Sequence, residues 1–414
     1  MSGMTMAEKV LSRTSGRDRV KPGDFVWAKI DRTRGSGLDV LENLGVTKLW
    51  DPDRVMVINE HFCPAPNIRS ADHQVEERRL VKKYGIKNYY DFGRHGNLHA
   101  MFVEKGWARP GELVAALDSH TTTYGAFNVA SRSIFTEVPY ILATGQLWFR
   151  VPESIRFWIE GELQKGVYSK DVILYIAGKY GTDVGIYKSV EIVGPTIDAM
   201  SLDARQTITN MGIELGAKFA IMEASQLVID YVKARTDEPF TPVKSDPDAT
   251  YAAKYEIDVS DLGPQVACPH DVGNVKPIEQ VVGTRIDQAF IGVCTNGRYE
   301  DLVEAARVLK GQRVRPGTRL IVTPASSEVY VRALETGVIE TLAEAGAVIT
   351  VSTCAACPGV DWGVLGDGEV GINATNRNFQ ARGGSPKAEV YLASPAVAAA
   401  SAIRGEIADP REYL

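Results

Sequence analysis

The chain has 414 residues, a formal charge of −6 and 44% hydrophobic residues. That length is too great for one core, and neither the mild acidity nor any Lys/Arg-rich run suits a general nucleic-acid binder. Five cysteines are too few for a secreted disulfide framework. The N-terminal MSGMTMAEKVLSRTSGRDRV has no apolar signal core, and no run of about eighteen apolar residues would span a membrane. A cytoplasmic protein with reduced thiols is expected.

Apolar runs that read as strands alternate with helical patterns. DRVMVI (53–58), ELVAAL (112–117), DVILYIAG (171–178), RLIVTP (319–324) and VITVST (348–353) predict buried strands. SSEVYVRALETGVIETLAEAG, between the last two, predicts one helix ending on glycine, so this part is a βαβ unit of a parallel or mixed sheet. Residues 237–277, rich in Pro and Asp, predict a long irregular connection. With a further break near residue 150, the expected units are 1–150, 151–275 and 276–414, all α/β.

The chemistry-bearing residues fall after strands. VSTCAACPGV holds Cys354 and Cys357, and FIGVCTNGRYEDL holds Cys294 at the end of another apolar run. The carboxyl edge of an open α/β sheet is where ligands bind, so the two loops could bring three thiols together. A structural zinc or an electron-transfer cluster ordinarily takes four protein ligands, whereas three leave one metal corner open. CxxC alone also fits a structural zinc with a fourth ligand or a redox pair. Cys63 and Cys268 read as ordinary buried thiols, and His270 beside Cys268 as a minor zinc candidate.

Six histidines occur. Asp72 and His73 adjoin in SADHQV, Asp118, Ser119 and His120 follow one another in ALDSHTTTYG, and His95 and His99 lie in GRHGNLHAM. A carboxylate near an imidazole fixes its tautomer and basicity, although adjacent residues rarely bond each other. ITNMGIELGAK (208–218) predicts a helix with Asn210 and Glu214 on one face. Arg377 and Arg382 flank Phe379. Each could grip a carboxylate in a forked, bidentate way, or form a surface salt bridge.

DSHTTTYGAF, NMGIELGAK, CTNGRYEDL, CAACPG, NRNFQAR and EVYLASPAVAAASA occur in this order. From about residue 20 to the C-terminus the chain resembles the large subunit of the two-subunit aconitase-type hydro-lyases, the group of 3-isopropylmalate dehydratase and homoaconitase. The resemblance implies an aconitase-like three-domain α/β/α architecture around an iron–sulfur cluster, without the swivel domain. It implies a 4Fe-4S cluster held by Cys294, Cys354 and Cys357, whose fourth iron binds the substrate hydroxyl and a carboxylate. It also implies acid–histidine pairs Asp72–His73, Asp118–His99 and Glu214–His120, with His73 protonating the departing hydroxyl. Ser119 and Asn210 would hydrogen-bond in the pocket, Arg377 and Arg382 would clamp carboxylates, and Asn376 would lie beside the cluster. A small swivel-domain subunit would bring the serine base and an arginine, giving a heterodimer or heterotetramer active on a hydroxy-diacid.

The chain departs from the resembled pattern at NVASRSIFTEVPY, where Arg132 and Phe135 stand in place of glycines, at GVC with Val293, at ARGG around Arg382 and at GNLH (96–99). These read as specificity changes. The implied activity is dehydration and rehydration of a 2-hydroxy-diacid or -triacid such as 3-isopropylmalate or homocitrate/homoaconitate, in amino-acid biosynthesis. The alternatives are a hydratase of a small unsaturated or methylated diacid (maleate, citraconate or dimethylmalate type), or a cluster-free RNA-binding protein.

Overall fold

A computed structural model describes residues 3–414. Near the N-terminus, strands Thr33–Arg34, Val55–Ile58 and Asn88–Tyr90 form a parallel sheet. Leu113–Ala116 and Ala130–Ser133 form a parallel pair, joined to the first sheet by a bridge between Arg32 and Val114. Phe25–Lys29 and Gln146–Arg150 make an antiparallel ribbon with alternating exposure. A four-stranded parallel sheet follows, in the order Phe219–Ile221, Ser189–Val193, Ser154–Glu160, Ala253–Asp258.

The last sheet has seven strands. Its parallel part runs Glu389–Leu392, Val370–Asn373, Gln288–Gly292, Arg319–Thr323, Val348–Ile349, and Gln265–Ala267 and Val275–Pro277 add antiparallel to its other edge. Gln288–Gly292 is buried along its whole length, as a parallel strand covered on both faces should be. Helix Pro395–Arg404 packs on that strand. Ser394 caps its first turn, proline opens it and Gly405, in the left-handed region, closes it. Its run of alanines lets the helix lie close in the largest core.

Four of the expected elements are corrected. DVILYIAG lies inside the helix Ser169–Tyr180. Asp171 accepts the backbone N–H of Tyr168 and fixes the start, and the helix is buried nearly all round, so its apolar run carries no helical period. The single helix expected after Arg319–Thr323 is two, Ser327–Glu335 and Val338–Ala345, broken at Gly337 with φ of 76°. VITVST is a strand only over Val348–Ile349. The connection 237–277 is irregular only at first, since it then supplies Ala253–Asp258 to one sheet and Gln265–Ala267 and Val275–Pro277 to the other.

Candidate active site

A cavity of about 410 Å3 opens where loops from several carboxyl strand ends meet. Glu60 and His61 follow Val55–Ile58, Asp118 and Ser119 follow Leu113–Ala116, Cys294 follows Gln288–Gly292, and Asn376 follows Val370–Asn373. Cys294, Cys354 and Cys357 all line this cavity, together with His99, His120 and Arg382. Both cysteine loops hold a non-glycine residue in the left-handed region, Val293 at φ 62° and Ala355 at φ 43°. A β-branched residue there is strained, and the surrounding packing must hold it. Val293 and Ala355 belong to the small buried cluster of Phe290, Ile321, Ala356 and Cys357.

Each sulfur has an N–H donor aimed at it. Asn97 Nδ2 lies 3.2 Å from Cys354 Sγ, and Asn210 Nδ2 lies 3.4 Å from Cys294 Sγ. Arg382 Nη2 lies 3.6 Å from Cys357 Sγ, and Asn376 Nδ2 lies 3.8 Å from Cys294 Sγ. Burial, with Cys357 and Asp118 nearby, pushes the Cys294 thiol up to about 12. Burial, then Glu60 and the other two cysteines, holds Cys354 well above the ordinary thiol range. As bare thiols Cys294 and Cys354 are therefore neutral, and a cationic metal centre is what would hold them as thiolates. Donors directed at sulfur match a thiolate-bound cluster, so these residues fit one. Glu60, His61 and Cys354 also place one ligand atom each within 4.8 Å of one another. Cys63 and Cys268 lie outside the cavity, as does His270.

Two of the acid–histidine pairs are within hydrogen-bond distance. His99 Nε2 is 2.9 Å from Asp118 Oδ1, and His99 Nδ1 is 3.1 Å from the Tyr124 hydroxyl. His120 Nε2 is 3.0 Å from Glu214 Oε1, and its Nδ1 is 3.1 Å from Ser119 Oγ. Burial opposes ionisation of Asp118, but His99, His120 and Arg34 outweigh it and hold the carboxyl well below the usual range. Burial pulls the His120 pKa down, against the opposing pull of Glu214, so its imidazole is neutral at neutral pH. Arg377 Nε donates to Glu214 Oε1 at 2.7 Å and Nη1 to Ser119 Oγ at 3.0 Å. Asn210 and Glu214 do not share one α-helix, because Leu202–Asn210 ends at the first and a 3-10 turn, Met211–Leu215, carries the second. Both still reach the site. Arg382 lines the cavity with its buried Nε unpartnered.

Asp72 and His73 are not brought in. They stand exposed on the helix Ile68–Tyr84, whose buried residues are Gln74, Leu80, Val81 and Tyr84, and neither lines the cavity. The third acid–histidine pair in the cavity is Glu60 with His61. Glu60 Oε1 pairs with Arg34 at 2.6 Å, its Oε2 accepts the Leu98 N–H at 2.7 Å, and its backbone carbonyl accepts the Cys354 N–H at 2.9 Å. His61 Nδ1 lies 3.7 Å from Glu60 Oε1, with the ring partly open to solvent. The available signal was position: NEH follows its strand directly, as DSH does, whereas ADH lies inside a helix. Arg34, Asn97 and Thr295 were also missed. Thr295 Oγ1 donates to Asn210 Oδ1 at 2.9 Å and accepts from Asn376 Nδ2 at 2.7 Å.

Three cysteines, two of them buried, thus line one cavity with His61, His99 and His120, each of which has an acid beside it. The Aconitase family (aconitate hydratase) profile matches residues 63–405. The chain belongs to the aconitase family. It is 46% identical to a probable 3-isopropylmalate dehydratase large subunit of Methanothermobacter thermautotrophicus, over 98% of this chain and 99% of that protein. It is 47% identical to 3-isopropylmalate dehydratase large subunit 1 of Methanopyrus kandleri, over the whole of both chains. A probable methanogen homoaconitase large subunit of Methanothermobacter thermautotrophicus is 44% identical, over 100% of this chain and 99% of that one. The fold is similar to Thermococcus kodakaraensis aconitase X in its holo-form, with a TM-score of 0.51 at 11% identity, covering 92% of this chain and 93% of that one. As an aconitase-family protein the chain is a hydro-lyase, and family membership implies an iron–sulfur cluster. Among the described residues no helix is long and apolar enough to cross a membrane.

Proposed function

We propose that this chain is the large subunit of a hydro-lyase that isomerises 3-isopropylmalate, or the related homocitrate/homoaconitate, by dehydration and rehydration. The observation that carries the reading is the meeting of Cys294, Cys354 and Cys357 in one cavity with three histidines, each beside an acid, and with Arg382, whose Nε has no partner. A 4Fe-4S cluster on the three cysteines would supply a Lewis acid for the substrate's hydroxyl and one carboxylate. Arg382, which lines the cavity with an unpartnered Nε, would take a substrate carboxylate, and Arg377, already braced by Glu214 and Ser119, would hold a second. His61, oriented by Glu60 at the cavity mouth, would give a proton to the departing hydroxyl, in the role expected of His73. The His99–Asp118 and His120–Glu214 pairs would orient water and substrate.

Relatives bear both names, isopropylmalate dehydratase and homoaconitase. The cavity favours the first. Leu117, Phe135, Val293 and Pro358 give it an apolar wall, which suits an isopropyl branch better than a further carboxylate. The relatives' designation as large subunits supports a small-subunit partner that completes the site with the base. The same reading divides the chain into units at about 150 and 275.

The test is anaerobic reconstitution of the chain with iron and sulfide beside a co-produced small subunit. Visible absorption from sulfur-to-iron transitions and turnover of 3-isopropylmalate, exceeding that of homocitrate, maleate, citraconate and dimethylmalate, are expected. A cluster-loaded pair that turns over none of these acids would sink the proposal.

A further inference from the structure

Behind the cysteine loops lies a charge that the reaction does not use. Lys170, in the second position of the helix Ser169–Tyr180, is fully buried. Its Nζ donates to Asn296 Oδ1 at 3.2 Å and, more closely, to the Thr375 carbonyl. Asn296 ends the short helix Val293–Asn296 that carries Cys294, and Thr375 directly precedes Asn376. One ammonium thus ties together two loops that line the catalytic cavity.

That ammonium has no carboxylate in an ion pair with it among the described residues. Buried charges are ordinarily paired, because leaving water costs far more than two neutral acceptors return. Asp171 turns its carboxylate to the backbone N–H groups of Tyr168 and Gln265. Asp301 is engaged by Asn296 Nδ2 and the Arg298 N–H. Burial pulls the Lys170 pKa down to about 7, with Asp301, Asp171 and Cys357 offsetting part of the cost and the Arg298 cation adding to it. Cys357 is the one member of that set that would gain a lasting negative charge with a metal centre in place. Three thiolates around an iron–sulfur core leave the whole net negative, and in a low-dielectric interior that charge is felt beyond contact distance.

We infer that Lys170 is a positioning residue for the iron–sulfur centre: a buried cation whose counter-charge is the thiolate-held cluster, and which fixes the Cys294 loop against the Asn376 loop. This rests on the reading of Cys294, Cys354 and Cys357 as cluster ligands. The lysine touches neither substrate nor sulfur. It acts through Asn296 and Thr375, and through its field on the cluster.

The experiment compares wild type with K170R, K170Q and K170M, each loaded anaerobically together with the small subunit. Iron per chain, visible absorption and the one-electron midpoint potential are measured, and far-UV circular dichroism checks each fold. Removing a positive charge makes an added electron less welcome. The midpoint potential is therefore expected to move negative in both K170Q and K170M, while K170R stays near wild type. An unmoved potential in loaded K170Q and K170M overturns the inference. Failure of K170Q and K170M to load, with K170R loading, supports it, because charge alone separates them. Failure of all three, or unfolding of all three, overturns it in favour of simple space-filling. A wild-type chain that takes up no iron–sulfur centre overturns the ligand reading first, and is told apart because no comparison among variants is needed.

Discussion

At the scale of single residues, the difference between Asp72–His73 and Glu60–His61 is the most instructive. Both are an acid followed by a histidine, within a dozen positions of each other. What separates them is the backbone beneath. Glu60–His61 leaves the end of a buried strand and turns into the cavity, while Asp72–His73 rides on the solvent side of a helix. His61→Ala is expected to lower kcat by about 10²- to 10⁴-fold, the usual range for a positioned proton donor. His73→Ala should leave it unchanged, with both followed as absorbance of the unsaturated acid. The same logic sorts the thiols. Replacing Cys294, Cys354 or Cys357 by Ser should abolish visible absorption after reconstitution, and replacing Cys63 or Cys268 should not. The three cavity cysteines were legible because each follows a strand in a loop of small residues. Asn97, Arg34 and Thr295 were not, since a lone polar residue shows its role only through a partner far off in the chain.

At the scale of elements, strands on the carboxyl side of which a motif sits were readable from their apolar runs. The fully buried helix Ser169–Tyr180 was not, because a helix apolar on every side shows the same unbroken run as an inner strand. The 3-10 segment Ser119–Phe127, which carries His120, was equally hidden, although its placement is tightly set. A Cβ added at Gly125 would fall 1.6 Å from the Ala220 carbonyl oxygen. That neighbour is backbone of the strand Phe219–Ile221 and cannot swing aside. Gly125→Ala is therefore expected to cost at least about 3 kcal/mol, the upper end of overpacking penalties. Urea denaturation measures the loss, and the displaced His120 should cut activity in whatever protein stays folded.

At the scale of the whole molecule, the buried ionisable groups set how the fold responds to acid. His120 has a folded pKa below the ordinary value of about 6.5, so as pH falls through that value the unfolded chain takes up its proton first and stability declines. Asp118 has a folded pKa below the ordinary value of about 3.9, so its ionised form stabilises the fold above that pH, and the contribution is lost as pH falls through the folded value. Against the opposing gain from Glu77, Glu104 and Glu112, whose burial raises them to about 7, these two groups should lower the urea midpoint of the cluster-free chain in two stages, the first just below about pH 6.5 and the second below about pH 4. His120→Gln should flatten the first stage and leave the second.

Residues 253–277 lend one strand to the middle sheet and two to the last. Upstream, Val243 is held by Asn128, Ser245 by Glu191, and Asp246 by Lys9. A protease that nicks the backbone near residue 240 would consequently release no autonomous fragment. Both pieces would travel together through gel filtration until denaturant parted them, and a gene split at that point would need its two products made in the same cell.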